Sequence, residues 1–303
     1  MEQARHQTVG VALGAGGARG WCHIGVLRGL EARGMAPDVV AGTSMGAVVG
    51  AIYAAGKLDA LEAWARGLSR ASFLKLMDVR LSNGGIIEGG AIEKVFADLD
   101  VPDRIEDLPR PFCAVACDMA TGAEVVFDRG PLRPAVRASA ALPGVLSPGL
   151  IDGVWYLDGG LVNPVPVSPA RALGADIVVG VDPNAHPDGV IWHPTEDAGW
   201  PALLTGWRDR LPEVFGLGAG AEDARAPRGP GYPAVIAATI EIMMEGITRG
   251  RLAEDPADLL LSADLASLMS VMEFDRAAEA IDDGQRIVAA QDSALAMLLG
   301  QTN

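Results

Sequence analysis

Short apolar runs alternate with helix-length stretches through the first 182 residues of the chain. Thr8 to Leu13 is a compact β-prone run, and a Gly-rich turn and a helix from about Trp21 to Arg33 follow it. Asp38 to Ala41 predicts a second strand, with a helix over Ala47 to Ala55 that ends near Gly56. Helical spacing returns over Leu58 to Leu68 and Ala91 to Leu99, and Phe112 to Ala116, Glu124 to Phe127 and Ile177 to Asp182 read as strands. Alternation of this kind predicts an α/β fold with a mostly parallel sheet and helices on both faces. Right-handed crossovers then set the strand-to-helix turns along one sheet edge, where such folds bind ligands.

The pattern changes after Asp182. Residues 183–233 are rich in Gly, Pro and Trp (Trp192, Trp200, Trp207) and carry little periodicity. An irregular stretch this long is either functional or disordered, and a membrane-touching lid and a disordered insertion are equally weighted readings. Ala234 to Arg251 reads as a helix whose stripe of Ile236, Ile240, Met243, Met244 and Ile247 suits core packing better than a lipid groove. Pro256 to Leu261 predicts one more strand, and Phe274 to Leu299 is helical. The expected organisation is a single domain over 1–303, with a core over about 9–182, the excursion over 183–233 and a helical region over 234–303.

Composition narrows the function classes. Hydrophobic residues make up 50% of the 303, too many for a disordered chain. The longest uncharged run, Ala41 to Gly56, contains Thr43, Ser44 and several glycines, whereas a membrane span needs about 20 mostly apolar residues. A net charge of −15 without any Lys/Arg block argues against nucleic acid and against passive adhesion to anionic membranes. The start, Met1 to Gln7, is polar and lacks secretory character. Cys22, Cys113 and Cys117 are odd in number and form no C-x-x-C pair, so reduced thiols in a cytoplasmic protein are expected, with a location at the membrane periphery as the further option.

The most informative residues are Gly42-Thr43-Ser44-Met45-Gly46, between a strand and a helix. A Ser flanked by Gly two residues away on each side fits the G-x-S-x-G nucleophile elbow. The helix that follows Ser44 would favour negative charge at its oxygen. The same residues also suit a small turn with a helix-capping hydroxyl, so the partners decide. One partner is the turn after the first strand, Gly14-Ala15-Gly16-Gly17-Ala18-Arg19-Gly20. Its backbone N–H groups could hold a phosphate or an acyl oxyanion. The dinucleotide pattern fails here, because Arg19 stands at the third Gly position and no acidic residue ends the second strand. No Gly-Lys-Ser/Thr occurs either.

A nucleophilic Ser needs a base. Of the four histidines, His6 lies at the start, His23 reads as a core or capping residue, and His186 and His193 fall in the excursion. None follows a strand as the usual hydrolase order requires. Asp158, after the apolar Trp155-Tyr156-Leu157 and before Gly159-Gly160, is the carboxylate alternative. Asp152-Gly153 reads instead as a hairpin turn between Leu150-Ile151 and Val154-Trp155-Tyr156.

Together, Ala15-Gly16-Gly17-Ala18-Arg19-Gly20, the Ser44 elbow and Asp158-Gly159-Gly160 resemble the patatin-like phospholipase family, with its G-G-G-x-R/K-G loop, G-x-S-x-G elbow and D-G-A/G motif. Arg137 to Gly144 also resembles the family's segment before the Asp, and the likeness runs from about Val9 to Asp182. The resemblance implies a three-layer α/β/α fold and a catalytic Ser44–Asp158 dyad. It implies an oxyanion hole at Gly16 and Gly17, with Ala15, Arg19, Gly20, Gly42, Gly46, Gly159 and Gly160 supporting the motifs, and neither metal nor cofactor. Ala15 departs from the family's first Gly, so the donors are expected at Gly16 and Gly17. Arg19 is expected either to fix the loop or approach a head group, or to hold an ordinary surface position. The implied function is hydrolysis of lipid or phospholipid esters through an acyl-enzyme, with transient membrane contact as a further option. A catalytically silent protein and a nucleotide-binding regulator on the same fold are the alternatives.

Overall fold

The computed structural model describes residues 7–76, 79–82, 85–87, 89–191 and 232–300. In chain order the strands are β1 (Val9–Leu13), β2 (Val39–Thr43), β3 (Val79–Ser82), β4 (Gly85–Ile87), β5 (Phe112–Asp118), β6 (Glu124–Phe127), β7 (Gly149–Ile151), β8 (Val154–Asp158), β9 (Ile177–Asp182) and β10 (Leu259–Ser262). The helices are α1 (Cys22–Glu31), α2 (Met45–Ala54), α3 (Leu58–Arg66), α4 (Arg70–Leu76), α5 (Gly90–Asp98), α6 (Leu132–Ser139), α7 (Val167–Ala172), α8 (Tyr232–Glu254), α9 (Ala277–Ala289) and α10 (Asp292–Leu298).

β1, β2 and β9 are buried along their whole length, which is why they read as unbroken apolar runs rather than alternating ones. The main sheet runs β10-β9-β1-β2-β5-β8-β7, with β6 also on β5. Every pair from β10 to β5 is parallel, and the pairs of β5 with β6, β5 with β8 and β7 with β8 are antiparallel. Alternate residues of β1 serve two faces. Val9, Val11 and Leu13 pack with Ile24 of α1, Ile52 of α2 and Ile281 of α9. Ala12 packs with Val178 of β9 and with Val167 and Ala170 of α7. A mixed, mostly parallel sheet therefore stands between two helical layers.

The register of β5 places the chemistry. β2 pairs with Phe112 to Val115 and β6 with Ala114 to Cys117, so these two strands occupy opposite edges of β5. β8 pairs with Ala116 to Asp118, residues whose other edge β6 already holds in part. β8 therefore continues along the edge β2 has left. Thr43 lies opposite Val115 and Asp158 opposite Ala116, so the two strands end tip to tip.

Two compact units divide the chain: Met1–Pro187 with Met244–Asn303, and Asp188–Met243. The first contains the whole sheet and all the candidate residues. Of the stretch read as a lid, residues 192–231, with Trp192, His193, Trp200 and Trp207, lie outside the described residues, as does His6. Phe274 to Leu299 is not one helix. A short 3-10 turn leads into α9, and the chain breaks at Ala290–Gln291 before Asp292 opens α10 with a carboxylate in its first turn. No described helix is long and apolar enough to cross a membrane.

Candidate active site

Ser44 stands where β2 gives way to α2, with φ 57° and ψ −123°. An L residue held there is strained by about 1–3 kcal/mol, so the surroundings must enforce it. A Cβ at Gly46 would run into the Leu13 carbonyl oxygen, and one at Gly42 would meet the Ala47 backbone nitrogen at 2.6 Å. These glycines let α2 start directly against the sheet. The Ser44 carbonyl accepts from Ala47 N at 2.9 Å, while its own N–H donates to Ser139 Oγ at 2.9 Å. Thr43 Oγ1 donates to the Asn163 carbonyl, also at 2.9 Å. The elbow is thus tied from both sides.

Asp158 ends β8 and is 1% exposed. Its N–H donates to the Ala141 carbonyl at 3.0 Å, and its Oδ1 accepts from Gly160 N at 2.7 Å. Burial pushes the carboxyl up to about 6, while hydrogen bonding from the Ser44 hydroxyl and the Gly160 amide pulls it the other way. Oδ2 makes no hydrogen bond of good geometry among the described residues. Hydroxyl and carboxylate are thus near enough to influence each other.

The turn after β1 completes the arrangement. Its amides at Gly14, Ala15, Ala18 and Arg19 are committed, to Val181 O at 3.0 Å, Pro164 O at 2.9 Å, Val271 O at 2.8 Å and Gly16 O at 3.1 Å. Gly16 and Gly17 keep their N–H groups unbonded among the described residues. Ala15 lies outside the positive-φ region and gives its amide to Pro164, so its methyl is tolerated and it has no donor to offer an oxyanion. Gly17 has φ 54°, and a Cβ there would lie 2.5 Å from the Val271 carbonyl oxygen.

The three segments touch one another. An added Cβ at Gly20 would meet Met45 Cγ at 2.5 Å, one at Gly159 would meet Thr43 Cγ2 at 3.1 Å, and one at Gly160 would meet the Ala15 Cβ at 3.2 Å. Arg19 is 5% exposed. Its Nε donates to Met269 O at 3.0 Å and its guanidinium reaches Asn184 Oδ1 at 3.1 Å. Asn184 Nδ2 in turn donates to Ala15 O at 2.7 Å. This is a loop-fixing arrangement.

Sequence reasoning did not single out Ser139, Asn163 or Asn184 as tethers, since each acts across a long stretch of chain. His23 is buried with Nε2 2.8 Å from Gly14 O, and burial lowers its pKa to about 4, so the neutral ring donates to that carbonyl. His186 lies 4.0 Å from Glu245 instead. Cys22, Cys113 and Cys117 are unpaired and buried. No metal-holding cluster occurs among the described residues.

A Gly17 amide that donates to an acyl oxyanion predicts that Gly17→Ala lowers kcat/KM on a soluble p-nitrophenyl ester by about 10²–10³-fold, the usual cost of losing one such donor. The added methyl cannot fit beside Val271 without moving the amide. Unchanged kcat/KM would remove Gly17 from the oxyanion hole.

A patatin-like phospholipase family model matches residues 11–171, a span that takes in all three segments. An uncharacterized NTE family protein of Mycobacterium tuberculosis is 35% identical over 92% of this chain and 89% of its own length. Patatin-like phospholipase domain-containing protein 6 of Homo sapiens is 34% identical over 66% of this chain but only 14% of that much longer protein. Among solved structures, VipD from Legionella pneumophila aligns with 96% of this chain and 67% of its own, at 14% identity and a TM-score of 0.46. By the family match and the mycobacterial relative, the chain belongs to the patatin-like phospholipase family, which implies lipid acyl hydrolysis.

Proposed function

We propose that the chain hydrolyses carboxylic esters of lipids or phospholipids by way of a Ser44 acyl-enzyme, with Asp158 as the only base. The observation that carries this reading is the buried Asp158 carboxylate, with Oδ2 unbonded among the described residues, close to a hydroxyl held on a strained elbow. A carboxylate whose pKa is about 6 is ionised at neutral pH yet basic enough to take a proton in the transition state. Ser44 Oγ gives its proton to Asp158 as it attacks the ester carbonyl. The oxyanion accepts from Gly16 and Gly17. Collapse breaks the ester bond, and the departing alkoxide takes the proton from Asp158. Water then attacks the acyl-enzyme and loses its proton to the same carboxylate. The fatty acid leaves as Ser44 regains a proton. The scheme draws on no cofactor, and buried unpaired thiols suit a cytoplasmic location.

A fluorophosphonate probe tests the nucleophile. Stoichiometric labelling mapped to Ser44, blocked by prior acylation, is expected. Intact, unlabelled protein would favour a catalytically silent member, and a thermal-shift response to ATP or NAD would favour a nucleotide-binding one. The base has a separate signature. Because ionised Asp158 is the active form, kcat/KM is expected to fall about tenfold per pH unit below an apparent pKa near 6. A flat profile from pH 7 to pH 5 would reject Asp158.

A further inference from the structure

Five strands run parallel toward one edge of the sheet, and the Ser44 elbow and the Gly16–Gly17 turn sit on that edge. β5 does not stop there. Thr43 ends β2 opposite Val115, whereas the β5 chain continues to Asp118 and Met119, four residues further. At about 3.3 Å per residue it projects roughly 13 Å past the end of β2. The β7–β8 hairpin pairs with this projection. Leu150 lies opposite Trp155, and Met119 N donates to Trp155 O at 2.9 Å, so the three side chains form one row on one face. Met119 is 54% exposed, Leu150 54% and Trp155 44%. From Trp155 the same strand leads back in three residues to Asp158.

We infer that the Met119–Trp155–Leu150 row is a membrane anchor that seats the active-site edge on a zwitterionic phospholipid surface. The inference rests on the acyl-lipid reading of the site. Trp is the side chain that most favours the bilayer interface, and Met and Leu can enter the acyl region beside it. Charge selects the kind of surface. Asp118 precedes Met119 in the chain and Asp152 sits in the β7–β8 turn beyond Leu150, so a carboxylate stands near each end of the row. With a chain net charge of −15, they oppose an anionic leaflet. A second copy is a poorer occupant. Three half-exposed side chains, one each from β7, β8 and the end of β5, offer far less than the roughly 1,200–2,000 Å² that a stable protein interface buries. A bilayer needs only a few inserted anchors.

The test uses the full chain carrying Ser44→Ala, so that binding is read without hydrolysis. Co-sedimentation with phosphatidylcholine vesicles is expected, and Met119→Ser, Leu150→Ser and Trp155→Ser combined should weaken it at least about tenfold, with each single change contributing. Trp155→Tyr keeps an interface-seeking ring and should bind within about threefold of the parent. On the Ser44 background the triple variant should turn over a soluble short-chain ester at the parental rate. Undiminished sedimentation of the triple variant, or none by the parent, would overturn the proposal. So would light scattering that finds a parental dimer which the substitutions dissolve. Row-dependent vesicle binding by a chain without any ester turnover would leave the anchor standing and sink the hydrolase reading alone.

Discussion

Asp158→Asn is expected to remove about 10⁴-fold of ester turnover and, at pH 8, to raise the melting temperature. The carboxyl titrates near 3.8 in an unfolded chain and at about 6 when folded. The folded state therefore binds the proton more tightly, and stability falls as pH rises from about 4 to 6. Above that window the buried charge costs about 3 kcal/mol at full value, since each pK unit is worth about 1.4 kcal/mol and no solvent screens this group. Asn carries no charge and still offers an oxygen to Gly160 N. Recovery of even half the penalty should raise the melting temperature by about 3–6 °C in a domain of this size. The gain should shrink as pH is lowered to 4, where the native Asp158 is itself protonated. Thermal denaturation of both proteins at pH 4 and pH 8 measures this. An Asn variant less stable than the parent at pH 8 would mean that the ionised carboxylate is held by contacts stronger than those described.

The sequence disclosed the parts of the fold that depend on local chemistry. β1, β2 and β9 were legible because burial on both faces leaves only small and branched apolar side chains, and the β7–β8 hairpin because Asp152 and Gly153 take the positive φ of a tight turn. Ser44 was legible because its two glycines are needed by its own backbone and α2. α6 and α7 were not read as helices. Pro131, Pro134, Pro166 and Pro169 stand at or near their starts, where proline is tolerated but interrupts a periodic pattern. The tip-to-tip meeting of β2 and β8 was beyond reach too, because it depends on β6 holding the far edge of β5. That pairing brings Asp158 to Ser44, and neither residue's neighbours encode it. Arg19 is a similar case. Its buried bonds go to Met269 and Asn184, respectively 250 and 165 residues away, so local sequence left its role open.

Ser44→Ala is expected to reduce turnover by about 10⁴–10⁶-fold, leaving only what binding and the oxyanion donors provide. Its stability should fall only by what the lost hydroxyl gave the Asp158 carboxylate, because Ala meets the same backbone strain at φ 57°. Ser44→Gly separates the two effects. It is equally inactive, yet glycine adopts this conformation without a Cβ clash, which relieves about 1–3 kcal/mol of strain against roughly 1 kcal/mol of added chain entropy. The Gly variant should therefore unfold at a higher denaturant concentration than the Ala variant, with the same m-value. A Gly variant weaker than Ala would show that the elbow is relaxed in solution. The excess is the strain that α2, the Leu13 carbonyl and Ser139 together impose on the native serine. Its backbone strain and the buried charge of Asp158 then share one physical origin. Each is a local conflict that the surrounding sheet is stable enough to hold, as the proposed mechanism asks of its nucleophile and its base.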